Sequence, residues 1–191
     1  MAKNLPVLAS DAMQLRLVPA TAAHARKVLH AMEEVSAGNL QFFTDDLTLE
    51  RETTYLQRME ESPTDFLFLI EANVHEDWES PFVGTIGIHE HDQYHRTARF
   101  GVLVFRPESR GNGFGSEAIR LLLRHAFETL GVNKVYGKVF EENILGRTFY
   151  ARLGFLQEGR LRQEYLLDGI FHDMVYISMT RGDWDQLRAR H

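Results

Sequence analysis

Seven consecutive residues, Arg110-Gly111-Asn112-Gly113-Phe114-Gly115-Ser116, combine what a phosphate needs: a guanidinium, and glycines that let backbone N–H groups come close. The apolar run Phe100 to Phe105 precedes them. After them Ile119, Leu122, Leu123, Ala126, Phe127 and Leu130 recur at helical spacing, with Gly131 as the stop. A strand, a glycine turn and a helix start together offer unpaired N–H donors and the positive end of a helix dipole to an anion. The chemistry is therefore the holding of a phosphate-bearing ligand. A nucleoside triphosphatase is excluded, because Gly115 is followed by Ser116-Glu117 rather than by Lys and then Ser or Thr. The dinucleotide fingerprint is excluded too: with Gly111 as its first glycine it requires a glycine at 116, where Ser116 stands.

A second constellation follows between Asn143 and Phe155. At 100° per residue Asn143, Gly146, Arg147 and Tyr150 share one helix face, while Leu145, Phe149 and Leu153 share the other, which serves the core. Gly146 costs about 1 kcal/mol of helix propensity relative to alanine. Such a cost on the polar face points to a ligand chain lying close to the backbone.

Arg110, Gly113 and Gly115 occupy the three specified places of Arg/Gln-x-x-Gly-x-Gly/Ala. Asn143, Gly146 and Tyr150 fit Asn-x-x-Ala/Ser/Gly with a tyrosine seven residues after the Asn, followed by Gly154-Phe155. In these motifs the chain resembles the GNAT N-acetyltransferase superfamily. The resemblance implies acetyl-CoA as co-substrate, no metal, and transfer of the acetyl group to an amine. It implies that Arg110 to Ser116 hold the pyrophosphate, and that Leu103, Val104 and Phe105 pair their backbone with the pantetheine amides. Asn143 would hydrogen-bond the pantetheine arm, Tyr150 would be the general acid for the departing thiolate, and Arg147 and Arg152 would pair with coenzyme phosphates. The strands around residues 100–105 and 134–140 would splay, with the amine entering opposite the coenzyme.

The base is less determined. An amine of pKa near 10.4 is only about one part in a thousand neutral at pH 7, which adds roughly 4 kcal/mol to the barrier unless deprotonation is assisted. Some family members place a glutamate five residues ahead of the Asn, where this chain has Lys138. Glu90, Glu141 and His89 remain candidates, and Glu90 is the reading adopted. Across residues 82 to 184, His95-Arg-Thr-Ala-Arg-Phe100, Tyr150-Ala-Arg-Leu-Gly-Phe155, Glu158-Gly159 and Asp168-Gly-Ile-Phe-His-Asp173 resemble the subgroup holding spermidine N-acetyltransferases and ribosomal-protein alanine N-acetyltransferases. The expected acceptor is a polyamine or other cationic amine, the alternative a protein N-terminus. A reading of a different class, a coenzyme-binding regulatory module without catalysis, rests on Lys138.

The elements that must position these residues follow from periodicity. Met13 to Val18 alternates like a strand, Thr21 opens a helix to Met32, and Thr48 to Met59 forms a second, ended by Ser62-Pro63. Phe66 to Ala72, Phe82 to Ile88, Thr97 to Phe105 and Lys134 to Phe140 read as strands, with Phe155 to Tyr165 and Ile170 to Met179 as a hairpin turned at Asp168-Gly169. The expected fold is a single α/β domain over 1–191: a mixed, splayed sheet of six to seven strands with helices on both faces, the coenzyme motifs lying within 100–155.

Composition narrows the rest. Zero cysteines exclude disulfides, thiolate metal sites and an acyl-cysteine intermediate, so direct attack by the acceptor is expected. A formal net charge of −6 disfavours nucleic acid and mildly favours a cationic partner. No apolar run approaches the ~20 residues that span a bilayer, and no signal-peptide stretch is present, so a cytoplasmic location without membrane attachment is expected. His89 and His91, on one face of a regular strand, suggest a metal pair with His95 nearby, but a solvated hairpin is the simpler account. The acid pairs Glu33-Glu34 and Asp45-Asp46 read as loop ends that can attract a cation. The C-terminal hairpin and Trp184 are the candidate contacts of a homodimer.

Overall fold

The computed structural model describes residues 5–10, 13–33, 48–72, 82–105 and 111–190. In chain order they form β1 (Leu8–Ser10), β2 (Leu15–Pro19), a short 3-10 turn (Ala22–His24), α1 (Ala25–Glu33), α2 (Leu49–Glu61), β3 (Phe66–Ala72), β4 (Phe82–Asp92) and β5 (Thr97–Val104). Then come α3 (Phe114–Arg124), which runs on as a π-helical turn (His125–Thr129), β6 (Lys134–Phe140), α4 (Ile144–Arg152), β7 (Leu156–Leu167), β8 (Ile170–Thr180) and α5 (Arg181–Arg188). Among the described residues the strands make one eight-stranded sheet in the order β1-β2-β3-β4-β5-β6-β8-β7. Every pairing is antiparallel except that of β5 with β6. The strand beyond the expected seven is β1, whose three residues are too short to show alternation.

Strand alternation sorts the apolar side chains onto two faces, and each face is driven under its own helices by the removal of apolar surface from water. Phe66, Phe68, Ile86, Ile88, Ala98 and Phe100 pack with α3, α4 and α5, whereas Leu67, Leu69, Phe82 and Phe105 pack with α1 and α2. The central strand β3 is buried along all seven residues, which is why it reads as an unbroken apolar run. The β7–β8 turn has positive φ at both Asp168 (49°) and Gly169 (78°), the two-residue hairpin geometry its sequence announces. Trp184, expected as a dimer contact, is only 5% exposed and stacks on Phe127 at 5.8 Å. It belongs to this chain's own core.

Two irregularities shape the site. β5 and β6 pair only at Thr97↔Lys134, Ala98↔Val135 and Arg99↔Tyr136, and then part. Where they part, the Phe100 ring packs over Gly137: a Cβ there would sit 2.6 Å from Phe100 Cε1. The second irregularity is a bulge in β4, where Glu90 takes φ 54° and the register with β5 shifts between His89 and Asp92. It reverses the alternation. His89 faces α2, while His91 is buried on the other side, edge-on to Phe66 at 5.8 Å. The expectation that the two histidines share a face is therefore corrected.

Candidate active site

The glycine turn at the start of α3 has the geometry its sequence predicts. Gly111 (φ 80°) and Gly113 (φ 83°, the helix N-cap) adopt left-handed conformations that side chains with a Cβ rarely take. The first intrahelical bond runs from the Glu117 N–H to the Gly113 carbonyl at 3.0 Å, so the N–H groups of Phe114, Gly115 and Ser116 lie ahead of the first bonded turn. Glu117, the acid in that turn, is taken up by the Ser10 hydroxyl at 2.6 Å and by Arg120 at 3.5 Å. Gly115 stands at a junction: a Cβ on it would touch Phe149 at 3.7 Å and Val104 at 3.8 Å, so the start of α3 meets both β5 and α4 there. Asn112 is exposed in the turn. Arg110 lies outside the described residues, as do Glu34, Asp45 and Asp46.

On β5, Leu103 and Val104 are half-buried, and Phe105 is fully buried, with its N–H donating to the Val83 carbonyl at 3.0 Å. The Leu103 carbonyl passes so close over Gly84 that a Cβ would lie 2.1 Å from it. These residues lie beyond the last β5–β6 pair, with the Phe105 N–H and the Leu103 carbonyl turned toward β4.

Helix α4 differs in detail from its helical-wheel reading. Asn143 is the N-cap, its Oδ1 accepting from the Gly146 N–H at 2.8 Å. A Cβ at Gly146 would come within 2.8 Å of Asn143 Nδ2, so the glycine is accounted for by this folded-back cap and no ligand chain is needed to explain it. Leu145, expected in the core, is 85% exposed. Arg147 donates to the Glu141 carbonyl at 3.0 Å and to Gln157 at 3.3 Å, which ties its guanidinium to the ends of β6 and β7 rather than leaving it for a phosphate. Arg152 is exposed in the last turn of α4.

Tyr150 is held by aromatic rings, edge-on to Phe100 at 5.6 Å, Phe149 at 5.3 Å and Phe155 at 5.8 Å. Burial pushes its phenol up to about 12. Its hydroxyl has no hydrogen-bond partner among the described residues, and it is not among the fully enclosed polar atoms. The ring is fixed by packing and the hydroxyl is left for something else.

Across the sheet from Tyr150 lies a cleft of about 490 Å³ walled by Tyr55, Arg58, Met59 and Ser62 from α2 and its cap, and by Asp65, His89, Glu90 and Arg99. Burial alone would raise the Asp65 carboxyl, but hydrogen bonds from the Ser62 hydroxyl and the Glu90 N–H, with His89 beside it, hold it below the usual range. Burial, and then the charge of Arg99, lowers His89 despite Asp65. The Glu90 carboxylate is occupied, pairing with Arg99 Nε at 3.0 Å and accepting from the Tyr136 hydroxyl at 3.2 Å. Burial first, and this carboxylate second, raises Tyr136. Glu141, another candidate base, pairs with Arg160 at 3.0 Å, and Lys138, at the position of the family's glutamate, pairs with Glu164 at 2.5 Å. Among the described residues no group of three or more His, Asp or Glu is placed to hold a metal ion.

Residues 14–156, which include the parting strands and the glycine-capped helix, fit the family model of the acetyltransferase (GNAT) domain. The chain belongs to the GNAT acetyltransferase family. This GNAT chain is similar to the spermidine N(1)-acetyltransferase of Vibrio cholerae, 32% identical over 108 residues, 56% of this chain and 62% of that protein. It is also similar to the ribosomal protein uS5-alanine N-acetyltransferase of Escherichia coli, 29% identical over 75 residues, 39% of each. The chain thus spans from about two fifths to about three fifths of these curated relatives. The fold matches a structure of a chimera of the Vibrio cholerae spermidine N-acetyltransferase SpeG with a TM-score of 0.76 at 21% identity, covering 91% of this chain and 99% of that one.

Tyr55, Arg58, Asp65 and Arg99 of the GNAT cleft were not singled out from sequence. Asp65 sits in a Ser62-Pro63-Thr64-Asp65 turn that reads only as a helix stop, and its partner His89 comes from another strand. The one available signal was position: His89 and Arg99 fall on the two strands that precede the glycine motif.

Proposed function

We propose that the chain is an acetyl-CoA-dependent N-acetyltransferase that passes the acetyl group to a primary amine by direct attack. The observation that carries this reading is the unpartnered Tyr150 hydroxyl, held in an aromatic cage beside Phe100, where β5 and β6 begin to part. The coenzyme supplies an acyl thioester. In this reading Gly111, Gly113, Phe114, Gly115 and Ser116 receive the pyrophosphate on their N–H groups, with Arg110 and Asn112 beside them. Leu103, Val104 and Phe105 lie beside the pantetheine arm where β6 departs from β5, and Asn143 has its Nδ2 donor to spare for that arm. Arg152 is better placed than the anchored Arg147 to reach a phosphate. Tyr150, protonated up to about pH 12, is a donor for the departing sulfur throughout the working range. Glu90 serves the wall of the acceptor cleft.

For the acceptor, the net charge of −6 and the spermidine-acetylating relative support a polyamine or other cationic amine. A second reading, a protein N-terminus, is favoured by the charge balance of the cleft, where Arg58 and Arg99 face Asp65 and Glu90. The test is thiol release from acetyl-CoA against spermidine, spermine, an amino sugar and peptides with free Ala or Ser N-termini, which the cysteine-free protein leaves without background. Amine-dependent release supports the reading and ranks the acceptors. Coenzyme binding without release to any amine favours the regulatory-module alternative.

A further inference from the structure

Building on that reading, we propose that His89, oriented by Asp65, takes the proton from the acceptor amine. The imidazole Nδ1 lies 3.3 Å from Asp65 Oδ1. Asp65 also accepts from the Ser62 hydroxyl at 2.5 Å, the Thr64 hydroxyl at 3.3 Å and the Glu90 N–H at 3.4 Å, so it is held as an acceptor-only carboxylate. That fixes the proton of the neutral ring on Nδ1 and leaves the Nε2 lone pair for substrate, the arrangement of a base oriented by a third group.

Nε2 lies over β4 and β5. It lies 3.2 Å from the place a Cβ would take on Gly87 and 3.6 Å from that on Gly101, two glycines directly opposite each other in the β4–β5 register. Gly101 follows Phe100, the residue Tyr150 touches from the opposite face. His89 and Tyr150 therefore flank the same step of β5 from the two sides of the sheet, one residue past the last β5–β6 pair. The absence of side chains on the two glycines lets the imidazole lie against the sheet at this step, with its ring on the wall of the cleft. The groups facing the ring are Asp65 and Ser62 after α2, Tyr55 and Arg58 on α2, Glu90 on β4 and Arg99 on β5. Burial and Arg99 keep the imidazole neutral at pH 7, the state in which it accepts.

The balance is simple. The acceptor ammonium gives one proton to Nε2, which releases it to solvent through the open cleft. The freed nitrogen forms the N–C bond as the C–S bond breaks. The sulfur takes the Tyr150 proton, and the second nitrogen proton restores the hydroxyl, so each turnover releases one proton.

The experiment compares wild type, His89→Gln and Asp65→Asn, with the best acceptor from the thiol-release screen, as kcat/KM from pH 5.5 to 9.5. Thermal melts and coenzyme affinity by calorimetry report folding. His89→Gln should lose roughly 100-fold at pH 7, in line with removal of a general base, and recover as the amine ionises by itself at high pH. Asp65→Asn should keep part of the rate and move the acid limb to lower pH, because the imidazolium loses its carboxylate. A folded, coenzyme-binding His89→Gln that keeps the wild-type acid limb within threefold of the wild-type rate overturns the base assignment and leaves the acetyltransferase reading intact. An Asp65→Asn variant whose acid limb stays unmoved overturns it equally. A wild type that binds coenzyme and acetylates no amine overturns both.

Discussion

At the residue scale, Tyr150 and Glu52 show two fates of a buried ionisable group. Tyr150 is neutral, caged and free at its hydroxyl, so Tyr150→Phe should lower kcat by ~100-fold or more with little change in coenzyme affinity by calorimetry. Glu52 on α2 is 6% exposed, with Oε1 lacking any hydrogen bond, and burial raises its carboxyl above 4.5. A carboxyl raised in the folded state is favourable below its unfolded value and loses that advantage as pH rises through the folded one. Glu52→Gln should therefore raise the melting temperature at pH 7, with the gain shrinking below pH 4.5. Tyr150 was legible because a tyrosine seven residues after Asn143 is a pattern. Glu52 was not, because in sequence it is one of several acids on an amphipathic helix. Gly146 was legible as unusual, but only coordinates reveal the Asn143 side chain folded over it.

At the scale of elements, the sequence carries periodic information well and local exceptions poorly. β3, β6 and the β7–β8 hairpin fall where alternation and turn residues put them, and helix α3 begins at the turn its glycines mark. The bulge at Glu90 is not legible, because a positive φ at a glutamate has no compositional sign, and with it went the faces of His89 and His91. The packing of Phe100 over Gly137 joins residues far apart in sequence. Gly137→Ala should cost about 1–3 kcal/mol, the range for forcing a close-packed core apart. It should also reduce kcat, since Phe100 would be pushed toward Tyr150, and Phe100→Leu in the same chain should restore much of the stability in a denaturant titration. Helix α5 offers a cleaner test. Thr180 and Asp183 form a reciprocal cap, with the Thr180 N–H donating to Asp183 at 2.9 Å and the Asp183 N–H to Thr180 at 3.2 Å. Thr180→Ala should cost about 0.5–2 kcal/mol, read as a lower melting temperature.

At the scale of the whole molecule, stability should depend on pH through two enclosed histidines on the α3 side. His91 and His125 flank Phe66, at 5.8 and 6.4 Å, each with one ring nitrogen buried and unbonded. Burial lowers both below 6.5. The unfolded chain binds these protons first, so their contribution is complete above 6.5 and is lost as pH falls toward the folded values. Urea midpoints should decline from pH 7.5 to 5, and His125→Leu should decline less steeply. The sheet also has a division of labour along the chain. β1 to β5 are consecutive and lie on one side of the parting; β6 to β8 are consecutive and lie on the other. Three residue pairs join the two sets of strands. A single cut in the loop between α3 and β6 would divide only the three-pair β5–β6 ladder between fragments, leaving His89, Asp65 and the glycine turn on one and Asn143 and Tyr150 on the other. The chain is thus laid out as a two-piece complementation system, in which neither piece holds a whole site and recovered turnover would report their reunion.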